Sequence, residues 1–162
     1  HGVTVLPPCI QASHWENRME WLDRPETTPE LALRLGFRQV KGIVEEEARW
    51  ITGARNNGYQ TVEDVWRRAG VAPAVLTRLA EADAFAALGL SRRDALWAAS
   101  ALVGGPPLPL FAADLDGDGI DEPAVRFREM TPGEAVVEDY IAMRLTLRAH
   151  PLALLRSVLD AA

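Results

Sequence analysis

The sequence predicts a mainly α fold with a short N-terminal β element and a C-terminal helical unit. Three observations carry this. Apolar residues recur at helical spacing, behind capping residues, between positions 43 and 102. Leu31, Leu33 and Leu35 alternate with Ala32 and Arg34, the period of a strand. A segment rich in Pro, Gly and Asp, residues 104–122, then separates these elements from a last helical stretch.

Val3 to Leu6 is β-prone and closed by Pro7-Pro8. Residues 17–22 pair with residues 31–35 as a hairpin, with residues 23–30 as its loop, although Thr28-Pro29-Glu30 also suits a helix start. Helical patterning runs from Glu45 to Arg55, where Asn56-Asn57-Gly58 breaks it. Thr61 with an acid at Asp64 opens a helix that Gly70 ends, and Pro73 opens another carrying Val75, Leu76, Leu79 and Ala82 inward. Ser91 with Asp94 starts a further helix, which is expected to bury Leu96, Trp97, Ala99 and Leu102. Trp50 and Trp66 are likewise expected in the core. Thr131-Pro132-Gly133-Glu134 begins the terminal unit, and Pro151 interrupts it after His150.

Within this pattern, residues 36–51 (GFRQVKGIVEEEARWI) turn an extended lead-in sharply into a helix at Lys41-Gly42-Ile43. Such a turn is expected to leave N–H groups outward beside the positive end of the helix dipole, a natural seat for phosphate. Lys41 stands beside it.

The net charge of −6 is unevenly spread. Residues 31–103 hold 10 basic and 8 acidic side chains, while residues 1–30 hold 2 and 5, and residues 104–162 hold 5 and 10. The middle is permissive of nucleic acid, without the basic stripe of a strong independent binder. No apolar run approaches a membrane span. The start, His1-Gly2-Val3, reads as a piece of a longer protein, and a single cysteine, Cys9, suits a reducing, cytoplasmic setting.

Two helix–turn–helix units in succession, around Val40-Lys41-Gly42-Ile43 and from Leu79 to Leu96, resemble a tandem helix-hairpin-helix domain. The flanks extend the likeness: Leu6-Pro7-Pro8, Leu33-Arg34-Leu35-Gly36-Phe37, Ala84-Phe85, Leu88-Gly89, Arg92-Arg93, Leu96-Trp97 and His150-Pro151-Leu152. In this order they are similar to bacterial C-family DNA polymerases, closest to the error-prone ImuC type, from the end of the fingers into the hairpin domain. The resemblance implies an end-of-fingers region at 1–35, a tandem hairpin domain at 36–103, an acidic linker at 104–124 and a helical unit at 125–162.

It further implies sequence-independent binding of duplex DNA by Arg38, Lys41, Gly42, Ile43, Val44, Glu45, Arg49, Arg92 and Arg93. Val44 and Asp83 stand where the two hairpins of that family usually carry glycine. Because the Asp83 charge would repel phosphate, contact is expected chiefly at the first, the second being mainly structural. Catalysis, with its Mg²⁺, belongs to the palm of the parent enzyme, so this chain is expected to carry no cofactor and no catalytic residue. Leu108, Leu110 and Phe111 resemble a sliding-clamp peptide, though Pro107 replaces its leading glutamine. In the error-prone branch the resemblance implies an accessory (ImuB-type) partner for clamp access. The competing reading is a module that docks accessory polymerase subunits.

Asp114, Asp116 and Asp118 with Gly119 copy the start of a calcium loop, but Val125 falls where the bidentate acid belongs, so a solvated acidic linker is expected. Cys9, His14 and His150 are too few for a closed zinc site, and Ser13-His14 lacks a third partner for nucleophilic chemistry.

Overall fold

The computed structural model describes residues 2–22, 30–102 and 127–159. The clamp-like peptide and the Asp114–Asp118 segment lie outside these residues. Among the described residues there are one three-stranded sheet and six α-helices, so the fold is mainly helical.

Strands β1 (Thr4–Leu6), β2 (Arg18–Leu22) and β3 (Glu30–Arg34) form a sheet in the order β1-β3-β2. The expected hairpin is present: β2 and β3 run antiparallel with Arg18 opposite Arg34 and Leu22 opposite Glu30. β1 joins the free side of β3 in parallel, Val5 opposite Leu33, a pairing with no local sequence signal. Gly36 follows because the chain crosses itself there. A methyl group at that position would lie 2.2 Å from the Trp15 carbonyl oxygen.

The helices that follow Thr61, Ser91 and Thr131 begin where those capping residues place them. α1 (Glu45–Ala54) ends before Asn56-Asn57. α2 (Val62–Ala69) opens on Thr61, whose hydroxyl accepts from the Asp64 N–H at 3.0 Å, and ends on Gly70 in the left-handed conformation. α3 (Pro73–Glu81) has proline in its first turn, and α4 (Arg92–Ser100) and α5 (Pro132–Met143) open on reciprocal Ser91–Asp94 and Thr131–Glu134 caps. α6 (Pro151–Leu159) follows His150.

One core joins these helices, built on Phe37, Ile51, Tyr59, Val65, Leu76, Leu79 and Phe85. Ile10 from the N-terminal segment and Ala142 and Met143 from α5 belong to the same cluster, so both flanking regions close over the middle of the chain. Two tryptophans correct the sequence reading. Trp66 is buried, but Trp50 and Trp97 are about half exposed, Trp97 resting against Phe127 with ring centroids 5.7 Å apart. An indole on a helix presents enough polar and apolar surface to serve at a boundary, which spacing alone does not reveal.

Candidate nucleic-acid interface

The first hairpin is a 3₁₀ turn (Phe37–Gln39), a tight turn over Val40-Lys41-Gly42-Ile43, and α1. Phe37, Val40 and Ile43 are buried and pin the turn to the core, leaving Lys41 and Gly42 exposed. Gly42 has φ +80°, the left-handed region that glycine adopts without cost. The Arg78 guanidinium donates to the Gly42 carbonyl at 2.7 Å, and a methyl group on Gly42 would come within 3.0 Å of Arg78 Nε.

The amides of this turn are less open than the sequence suggests. Lys41 N–H donates to the Ala142 carbonyl at 2.9 Å, and Ile43 N–H reaches the Val40 carbonyl at 3.3 Å. Val44 N–H is held by the Glu47 carboxylate at 3.0 Å. Valine has no acceptor to reciprocate, so this is only half of a capping box. Glu45, Glu46 and Glu47 also place three acids on the first turn of α1, where they already answer the helix dipole. An anion seated by a row of bare amides is therefore not the geometry found. What the turn does present is side-chain cations.

Those cations are distinctive in their pairing. Arg38 is bridged to Glu16, and Arg49 pairs with Glu45 at 2.6 Å. Arg67 and Arg68 pair with Glu63 and Asp64 on α2. Among the described residues, Lys41, Arg78 and Arg144 have no carboxylate partner, as is also true of Arg18, Arg55, Arg128 and Arg156 elsewhere, and these three lie together at this turn. Lys41 and Arg144 line one cleft with Arg38 and Gly42, and Arg78 bonds to Gly42 from the other side. Arg78 and Arg144 were missed by the sequence reading. Each is remote in sequence from the turn, and neither belongs to a recognisable motif.

The second hairpin is occupied differently. Asp83 takes the left-handed conformation (φ +59°) in a turn joining α3 to a 3₁₀ turn at Ala86–Leu88. Its carboxylate receives Arg148 Nη2 at 2.6 Å. Burial pushes the Asp83 carboxyl above its ordinary range, opposed by the nearby Arg92 and Arg148 guanidinium groups. Arg92 corrects an expectation: it is 4% exposed and bridged to the buried Asp139 of α5, which also accepts from Thr146 at 2.7 Å. Its guanidinium ties α4 to α5 instead of facing outward. Arg93 is partly exposed, donates to the Arg128 carbonyl and lies 3.7 Å from Glu134. Of the residues expected to face DNA, Lys41 and Gly42 share the open cleft, Glu45 and Arg49 neutralise one another beside it, and Ile43 is interior.

Among the described residues, no three His, Cys, Asp or Glu side chains gather as metal ligands. No helix among them is long and apolar enough to cross a membrane.

Two successive hairpins, each turning through a left-handed residue between helical segments, match a known pattern. The family model described as helix-hairpin-helix motif matches residues 2–95. The chain belongs to the helix-hairpin-helix family. Over 96% of its length it is 58% identical to an error-prone DNA polymerase of Ruegeria pomeroyi. Over 99% it is 48% identical to error-prone DNA polymerase 2 of Agrobacterium fabrum and 42% identical to an error-prone DNA polymerase of Brucella abortus. The chain spans only 14–15% of the length of these relatives. The family match takes in the strands as well as the hairpins, and the likeness to the polymerases extends through α5 and α6.

Proposed function

We propose that this chain is a duplex-holding portion of an error-prone, translesion DNA polymerase of the bacterial cytoplasm, acting in damage-induced mutagenesis. It grips the sugar–phosphate backbone of double-stranded DNA without reading sequence. Nucleotidyl transfer, with its Mg²⁺, is assigned to other parts of the parent enzyme. The observation that carries this reading is the gathering of Lys41, Arg78 and Arg144, all without carboxylate partners among the described residues, at the first hairpin of an otherwise acidic chain. Contacts from such side chains to phosphate position a protein on the duplex and carry no sequence information.

Titration of a fluorescent duplex at low salt tests it. If about three phosphates are neutralised, log affinity falls against log salt with a slope of about −3, equally for unrelated sequences. Absence of binding at high micromolar protein overturns the reading.

One observation favours a second reading, the docking of accessory polymerase subunits. Val137, Tyr140 and Ile141 on α5 and Leu152, Leu155 and Leu159 on α6 are exposed. Apolar surface of this kind on adjoining helices is a common mark of a protein interface. In that case the duplex titration fails while the chain retains an accessory protein on a column.

A further inference from the structure

We propose that Arg144, supplied by the C-terminal helical unit and lying outside residues 2–95, is a phosphate-holding residue of the same cleft as Lys41. The inference rests on the duplex-binding reading above and deepens it: the grip is composite, completed by a part of the chain that the helix-hairpin-helix match does not reach.

Three features lead there. The first is placement. Arg144 lines the cleft with Arg38, Lys41 and Gly42, and the Lys41 N–H…O=C Ala142 bond fixes the end of α5 against the hairpin turn. Ala142 and Met143 are buried beneath it, so Arg144 is held at the rim by packed neighbours.

The second is backbone conformation. Arg144 follows α5 with φ +61°, where glycine is the residue without steric cost. Only two other described non-glycine residues have positive φ. Asn56 belongs to a type that tolerates it, and the Asp83 side chain is engaged by Arg148. Arg144 has no carboxylate or hydrogen-bonded side-chain partner among the described residues. A strained arginine whose side chain reaches no protein partner points to a ligand outside the protein.

The third is charge. Three exposed cations line one cleft, of which only Arg38 has a carboxylate partner, and the cleft-lining residues include no acid. A plain structural role, a cation at the negative end of the α5 dipole, accounts for the charge but not for its pairing with Lys41.

The test uses the whole chain and Arg144→Gly, because glycine relieves the backbone while removing the guanidinium. The result expected is unchanged or higher Tm with about tenfold weaker duplex binding at about 50 mM salt, and a salt slope smaller in magnitude by about 0.9. Arg156→Ala, which removes an exposed cation of α6 away from the cleft, leaves both unchanged. If Lys41→Ala weakens binding and Arg144→Gly does not, the composite site is overturned and the duplex-binding reading stands. Equal weakening by Arg156→Ala also overturns it, since the effect is then diffuse charge. If the unaltered chain does not bind duplex at all, the underlying function fails first.

Discussion

Lys41 and Ala142 lie 101 positions apart in sequence, yet the N–H of the first donates to the carbonyl of the second at 2.9 Å. That bond joins the hairpin turn to the C-terminal unit, and it consumes an amide that an isolated hairpin would offer to phosphate. What remains exposed at Lys41 is its ammonium group. Lys41→Glu should therefore abolish duplex binding at moderate salt without lowering Tm appreciably, as anisotropy and thermal melting would record. Unchanged affinity in this variant removes the first hairpin from the functional argument.

Gly42 sets the direction of the same turn. Its φ of +80° is unfavourable for any residue with a β-carbon, while the contact with Arg78 involves a side chain that can shift. Gly42→Ala should cost about 1–2 kcal/mol, mostly from the backbone, measured by urea unfolding. Loss of the Arg78–Gly42 bond should accompany it.

The Arg92–Asp139 pair is interior, with both side chains about 5% exposed. Asp139→Ala leaves Arg92 charged and unmatched and also strips a bond from Thr146. The expected loss is about 3–5 kcal/mol by chemical denaturation. The double replacement Arg92→Met, Asp139→Leu should recover part of that loss, because it removes the buried charge along with its partner.

How much of this could be read from sequence depends on distance along the chain. Thr61, Ser91 and Thr131 announced their helices because a cap and its acid lie three residues apart. The β2–β3 hairpin was legible from the alternation at Leu31 to Leu35. The parallel seat of β1, the burial of Arg92 and the occupation of the Lys41 amide each depend on a partner more than 25 residues away. Composition and period carry no record of such partners. The site was therefore half visible: Lys41 and Gly42 sit in a motif, whereas Arg144 reaches the cleft, and Arg78 the Gly42 carbonyl, only through the packing of α5 and α3.

Acid should loosen the start of α5. The Thr131 backbone N–H and hydroxyl hold the Glu134 carboxyl below its ordinary range, helped by Arg93 and Arg128. A depressed carboxyl pKa contributes stability above the unfolded value, and that contribution is lost as pH falls through the folded one. The Tm difference between the unaltered chain and Glu134→Ala should be full near neutrality and close as pH drops below the usual glutamate range. A gap independent of pH would show that the carboxylate's charge plays no part.

Arg68 is expected to resist conservative replacement. Its guanidinium donates to the Arg55 and Gly58 carbonyls at 2.7 Å, pairs with Asp64 at 2.9 Å and lies 4.7 Å over the Tyr59 ring. A lysine cannot reproduce that fork, so Arg68→Lys should lose roughly 1–2 kcal/mol, most of the loss seen with Arg68→Ala. Urea midpoints of the two variants check it.

The Gln11 side chain accepts from the Tyr59 N–H at 2.9 Å and donates back to its carbonyl, and Arg55 Nε reaches the Ile10 carbonyl at 2.9 Å. These clasps, with Ile10 sunk in the helical core, fasten the segment after β1 to the hairpins. Displacing the N-terminal segment would therefore strain the same packed cluster that seats Val40 and Ile43 on either side of the Gly42 turn, so the two cannot be repositioned independently.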